Sequence, residues 1–138
     1  MNTLRTKLLL LFVVSSLFAS FACADETAHA KILKERDAVL SQILTERESR
    51  VATGLGDEDA VLSARLVLFS FRRDSAPSKA EKIKQQELIV AIYQKKLATL
   101  KNRAASGMVG REDILFATDS QLQAQQQLEE LKLDEKKG

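Results

Sequence analysis

From residue 28 onward, apolar residues recur at three- and four-residue spacing, and three places break the pattern. That spacing is the period of an amphipathic helix. No run of alternating β-branched residues appears, so strand signals are nearly absent. Two breaks are glycine pairs, Gly54/Gly56 and Gly107/Gly110, and the third is the single proline, Pro77. The breaks predict four helices, over 28–53, 57–74, 78–106 and 110–131, followed by a charged, fraying tail from Lys132. In the first, Ile32, Val39 and Ile43 mark an apolar face, with Leu33, Leu40 and Leu44 beside it. In the third, Ile83, Val90, Leu97 and Ala104 are spaced by seven, with Tyr93 and Leu100 three residues after Val90 and Leu97. That is coiled-coil spacing, equally suited to the core of an antiparallel bundle. Leu88 and Ile92 lie on other faces of the third helix, and Leu66, Val67, Leu68, Phe69 and Phe71 crowd the second. Helices apolar all round need cover on more than one side, which predicts close packing and leaves room for self-association.

The helix ends carry their own signals. Gly54 and Gly107 suit the left-handed residue that closes a helix. Asp57 is a natural N-cap, with Glu58 and Asp59 in the first turn beside the positive end of the helix dipole. Ser78-Lys79-Ala80-Glu81 reads as a capping box. Gly110 serves as N-cap of the last helix, with Glu112 and Asp113 in its first turn.

Shifting the chain by 53 residues superposes the two glycine turns without a gap. Arg50-Val51-Ala52-Thr53-Gly54-Leu55 falls on Arg103-Ala104-Ala105-Ser106-Gly107-Met108, and Val61-Leu62-Ser63-Ala64 on Ile114-Leu115-Phe116-Ala117. Upstream, Ala38-Val39 falls on Ala91-Ile92 and Leu44 on Leu97. The reading is an all-α fold of two repeated antiparallel hairpins, repeat 1 over 28–74 and repeat 2 over 78–135. Each hairpin leaves one face uncovered, and two make a four-helix unit.

The first 24 residues read differently. Arg5 and Lys7 precede an apolar stretch from Leu8 to Phe21, which ends in Ala22-Cys23-Ala24 before Asp25. A positive start, an apolar middle and an A-x-A site are the marks of an export signal cleaved after Ala24. The apolar stretch falls short of the ~20 residues that span a bilayer. The rivals are an uncleaved anchor and lipid attachment at Cys23, although Ser20 stands where a lipobox usually has Leu. A mature chain from Asp25 would be a periplasmic or secreted single domain. It would hold nineteen basic and nineteen acidic residues and no cysteine. That balance disfavours nucleic acid as a partner and excludes a disulfide framework.

The string Gly107-Met108-Val109-Gly110-Arg111-Glu112-Asp113-Ile114-Leu115-Phe116-Ala117, continued by Leu122, Ala124 and Leu128, resembles the hairpin-turn motif of TolC-like outer-membrane efflux proteins. That family is also built on duplicated helical hairpins. The resemblance implies that the tips point into the periplasm and meet the adaptor of an efflux assembly. Carried over, Gly107, Met108, Val109 and Asp113 are tip residues. In the first copy Gly54 and Leu55 match, while Asp57 and Asp59 straddle the position of the family's Asp. The chain departs from the family in having no segment of ~10 alternating residues for a membrane strand. A free-standing hairpin module is therefore expected, without the channel.

Candidate chemistry is sparse. His29 lies near Asp25 and Glu26 without further ligand-type partners, and reads as a solvated residue near the mature N-terminus. Asp57-Glu58-Asp59 reads as capping, and Arg72-Arg73 with Lys79, Lys82 and Lys84 as a solvated connector interrupted by Asp74 and Glu81. Gln121, Gln123, Gln125, Gln126 and Gln127 form a polar helix face, or a hydrogen-bonding surface for a partner helix. No nucleophile–base pair stands out, so neither catalysis, a metal, a cofactor nor a small-molecule substrate is expected. The leading expectation is an exported, non-enzymatic helical module that binds a protein of the cell envelope. The alternative is a small periplasmic helical chaperone or a stress- or metal-responsive sensor. The processing expectation is checked by intact mass. The exported protein should weigh as a chain starting at Asp25, and a lipid increment on Cys23 would make it an anchored lipoprotein.

Overall fold

The computed structural model describes residues 3–137, and their side chains from 28 to 135. Four α-helices follow one another: α1 (Thr3–Ala52), α2 (Glu58–Ser75), α3 (Lys79–Ala105) and α4 (Arg111–Lys137). No strand occurs among the described residues, so the all-α class expected from the sequence is the class observed. α1 begins far upstream of residue 28, because no glycine or proline interrupts the chain between Thr3 and Thr53. The side chains of Ala22, Cys23, Ala24 and Asp25, the expected processing site, lie outside the described residues. The chain divides into two compact units, 1–36 and 37–138. In the first, Lys31 and Glu35 pair one turn apart and Ile32 is exposed. The rest of the description concerns the second unit.

Both glycine turns close their helices by the same backbone device. Gly54 and Gly107 have φ of 74° and 73°. Gly54 N–H donates to Val51 and Leu55 N–H to Arg50; Gly107 N–H donates to Ala104 and Met108 N–H to Arg103. This is the paired 5→2 and 6→1 pattern of a Schellman end, repeated at the 53-residue shift. The helices that follow are capped differently. The Asp57 carboxylate accepts the Asp59 N–H, whereas the Asp113 carboxylate reaches back to the Gly110 N–H at 3.1 Å. After Pro77, Ser78 Oγ accepts the Glu81 N–H, the forward half of the expected capping box, and also donates to the Glu81 carboxylate.

α2 packs on α3, and α3 on α4. Ile89, Val90, Ala124 and Leu128 form the central cluster, flanked by Leu66, Phe69, Ile83 and Tyr93. The heptad of α3 is thus core, as its spacing predicts. Within it lies Gln86, three residues after Ile83 and four before Val90, with 0 % of its surface exposed. Its Nε2 donates to the Ala124 carbonyl at 2.8 Å, and its Oε1 accepts from Arg73 Nη1 at 2.8 Å. Gln127 Oε1 accepts from both Arg73 and Gln86. One buried side chain therefore ties the end of α2 to the middle of α4. Gln85, its neighbour, holds a buried Oε1 that has no partner.

α1 meets α2 through a different face from the one expected. Leu40, Leu44 and Val51 are half-buried, whereas Val39 and Ile43 are exposed. Both rows have helical spacing, and the ion pairs decide which one turns inward. Arg72 grips both Asp37 oxygens, at 2.7 and 2.9 Å, and also donates to Ser41 Oγ. Arg65 donates to Glu48 at 2.6 Å, and Arg47 to the Ala60 carbonyl. Asp37, Ser41, Leu44 and Glu48 share a face of α1 by their three- and four-residue spacing, so the clasp presents Leu44 to α2.

Two outcomes follow from these contacts. An added Cβ at Gly54 or Gly107 meets nothing within 4 Å, so the whole cost of a side chain there is the left-handed backbone. Gly54→Ala and Gly107→Ala should each lose roughly 1–2 kcal/mol in denaturant unfolding. At Gly56 a Cβ would lie 2.6 Å from the Val51 backbone nitrogen, so Gly56→Ala fails through a clash instead. The second outcome is electrostatic. Hydrogen bonds from Arg72 hold the Asp37 carboxyl below its ordinary pKa of 3.8, against a smaller opposing effect of burial. A lowered folded-state pKa gives stability that is present above the unfolded value and is lost as pH falls through the folded one. The stability gap between wild type and Asp37→Asn should hold near neutral pH and close progressively below 3.8.

Candidate functional site

α2 and α3 are joined at Pro77, so the two glycine turns lie at the same end of the helical unit. Arg103, on the last turn of α3, reaches Asp59 at the start of α2 at 3.5 Å, and Lys95 pairs with Glu58. Each tip presents one apolar side chain from the same position, the residue after the left-handed glycine. Leu55 is 76 % exposed and Met108 is 68 % exposed. Beside the first tip lies a shallow depression bordered by Arg47, Arg50, Leu55, Gly56, Asp57 and Ala60.

The remaining tip residues separate by role. Gly54 and Gly107 set the backbone. Asp113 caps α4, which gives the acidic position of the motif a structural role. Val109 is half-buried, a correction to its placement as an exposed tip residue equivalent to Met108. Asp57 and Asp59, which straddle the motif position in the first copy, are engaged in capping and in the pair with Arg103.

Several of the other polar groups singled out in the sequence are engaged within the fold. Arg72 and Arg73 are not a solvated connector: Arg72 holds Asp37, and Arg73 joins Asp74, Gln86 and Gln127. Lys79 donates to the Asp134 carbonyl. The glutamines split, with Gln121 and Gln125 half-buried, Gln123 bonded to Asp119, Gln126 to Glu130, and Gln127 at the Gln86 junction. A cleft bordered by Arg73, Lys82, Gln127, Glu130 and Asp134 lies at the end away from the tips. His29 is exposed. Among the described residues no group of three His, Cys, Asp or Glu side chains is placed to hold a metal ion, and no helix is long and apolar enough to cross a membrane.

Sequence reasoning missed two features. Gln86 occupies the d position of a heptad whose other members are all apolar or small, and that lone polar position was the signal. The shallow groove between α2 and α3, lined by Leu62, Phe69, Leu88, Ala91 and Ile92, had no linear signature because its walls come from two helices. No family model, curated protein or solved structure matches this chain.

The exposure difference makes a prediction. Leu55→Asp and Met108→Asp should each leave the thermal melt within about 0.5 kcal/mol of wild type, as surface changes do. Val109→Asp places a carboxylate in a half-buried position and should cost clearly more.

Proposed function

We propose that this protein is an exported, non-enzymatic helical module that binds a protein partner of the cell envelope through the paired tips of its two hairpins. The observation that supports this most directly is the matched presentation of Leu55 and Met108, both exposed, at one end of the unit and on turns with the same hydrogen-bond pattern. A repeated rigid turn holds an apolar side chain outward at little entropic cost on binding. The resemblance of the Gly107 turn to the hairpin motif of TolC-like efflux proteins suggests the partner class, the adaptor of an efflux assembly. Export rests on the Arg5/Lys7, Leu8–Phe21 and Ala22-Cys23-Ala24 pattern.

The test is in-cell crosslinking from residue 55 or residue 108, each replaced in turn by a photoreactive residue, followed by identification of the product. A product with one envelope adaptor, lost on Met108→Asp and weakened on Leu55→Asp while the melts stay unchanged, supports the reading. A spread of unrelated unfolded proteins would point to the chaperone alternative, and no product from either tip would refute tip-mediated binding.

A further inference from the structure

α2 has two buried faces, and different helices cover them. Leu62 and Phe69 border one depression with Leu88 and Ile92 of α3, and Leu66 and Phe69 flank the central cluster. At about 3.6 residues per turn, Val61, Ala64, Leu68 and Phe71 fall on the opposite side of the helix, together with Arg65 and Arg72. All four apolar residues are buried, and the central cluster includes none of them. The pairs Arg65–Glu48 and Arg72–Asp37 place α1 over this second face. Val51 and Ala52 of α1 also border a depression with Val61 and Arg65.

The two sides of that contact are unlike. α2 contributes four buried apolar residues, whereas α1 between Asp37 and Ala52 has no buried side chain, and Leu40, Leu44 and Val51 are half-buried. Its fastenings to α2 are polar. Arg72 holds both Asp37 oxygens, Arg65 holds Glu48 through Nε and Nη2, and Arg47 donates to the Ala60 carbonyl. The four side chains of the two ion pairs are between 36 and 43 % exposed, so dissolved ions reach them. The hydrogen bonds of Gln86, which tie α2, α3 and α4 together, involve no residue of α1. The turn leaves the segment free to move on its own. Gly54 and Leu55 N–H donate back into α1, and Ala60 and Val61 N–H donate to Asp57. Among the described residues no backbone bond joins these two sets across Gly56, whose lack of a Cβ gives the backbone its widest freedom.

We propose that residues 37–52 are an electrostatic strap, hinged at Gly56, that leaves α2 while α2, α3 and α4 stay packed, and that screening of its ion pairs shifts it toward the open form, uncovering Val61, Ala64, Leu68 and Phe71. Two contributions hold the strap down. Burial of the apolar row favours closure at any ionic strength. The Asp37–Arg72 and Glu48–Arg65 pairs add a part that salt removes. The seam between α3 and α4 is apolar and hydrogen-bonded, so it has no counterpart to that second part. Ionic strength therefore acts on one face of α2 and spares the other.

The test measures how fast a buried thiol is alkylated in protein purified after expression of the full chain. Cys23→Ser removes the native thiol, and Ala64→Cys places one beneath the strap; Ala124→Cys places one in the α3–α4 seam for comparison. Iodoacetamide is uncharged, so salt does not act on the reagent, and rates are normalised to a short cysteine peptide. Ala64→Cys should react faster than Ala124→Cys. Raising the ionic strength from about 0.01 M to about 1 M shortens the screening length from about 30 Å to about 3 Å. Over that range Ala64→Cys should react about two- to thirtyfold faster, the span that two exposed pairs account for, while Ala124→Cys stays unchanged. Adding Asp37→Asn and Glu48→Gln should raise the Ala64→Cys rate at low salt and abolish its salt dependence. Val61→Cys, close in volume to the residue it replaces, repeats the measurement if Ala64→Cys melts below wild type. Equal rates beneath the strap and in the seam would mean that α1 leaves only when the whole fold opens, and would overturn the proposal. A rate beneath the strap that ignores salt, or a salt response that survives removal of both carboxylates, overturns it as well.

Discussion

The buried amide of Gln86 is the constraint that the rest of the structure depends on. A glutamine with no exposed surface must satisfy both ends of its amide inside the protein, because an unpaired buried donor or acceptor costs ~1–3 kcal/mol. The Ala124 carbonyl must lie opposite its nitrogen and Arg73 opposite its oxygen. The first contact sets the register of α4 on α3, and the second sets where α2 ends. A slide of α3 by one heptad would keep apolar residues in the seam and strand the amide. Packing alone tolerates such slides, since Leu, Ile and Val are nearly interchangeable. A single polar residue at a core position of a coiled-coil seam distinguishes one register from the rest.

The two hairpins are thus held by different physics. α3 and α4 join through an apolar seam pinned by hydrogen bonds. α1 joins α2 through arginines on Asp37 and Glu48, and no side chain of α1 from residue 28 onward is fully buried. Solvent screens such pairs, and exposed ones contribute roughly 0.2–1 kcal/mol each. Opening of the 37–52 segment is therefore expected at lower free energy than opening of α3 from α4. Most of the apolar residues left uncovered within the helices, among them Val39 and Ile43 on α1 and Leu115, Phe116 and Leu122 on α4, lie on the first and last helices, while Val67 on α2 and Leu88 on α3 are also exposed.

Much of this was legible in the sequence where local chemistry decides. The two left-handed glycines and the Ser78 cap rest on interactions within a few residues, and each appears as read. What failed to be legible depends on distant partners. Ile32, Val39 and Ile43 share the spacing of Leu33, Leu40 and Leu44, and periodicity alone is indifferent between the rows. Arg72 and Arg65, far along the chain, break the tie. Arg73 looked like connector charge because its partners, Gln86 and Gln127, are on two other helices. Of the candidate tip residues, Leu55 and Met108 are exposed. Val109 is half-buried and Asp113 is spent on a cap, because a motif fixes order along the chain without fixing which side chain faces water.

The functional reading depends on that frame. The tips lie at one end only because α2 and α3 run antiparallel in a fixed register, and the register passes through Gln86. The most direct test compares two adjacent glutamines in denaturant unfolding. Gln86→Ala removes the satisfied amide, and should lower stability by about 2 kcal/mol or more, as loss of a buried residue's hydrogen bonds and packing does. Gln85→Ala removes a side chain whose buried oxygen has no partner, and should cost far less or stabilise the fold. Equal losses at the two positions, or no loss at Gln86, would contradict the account.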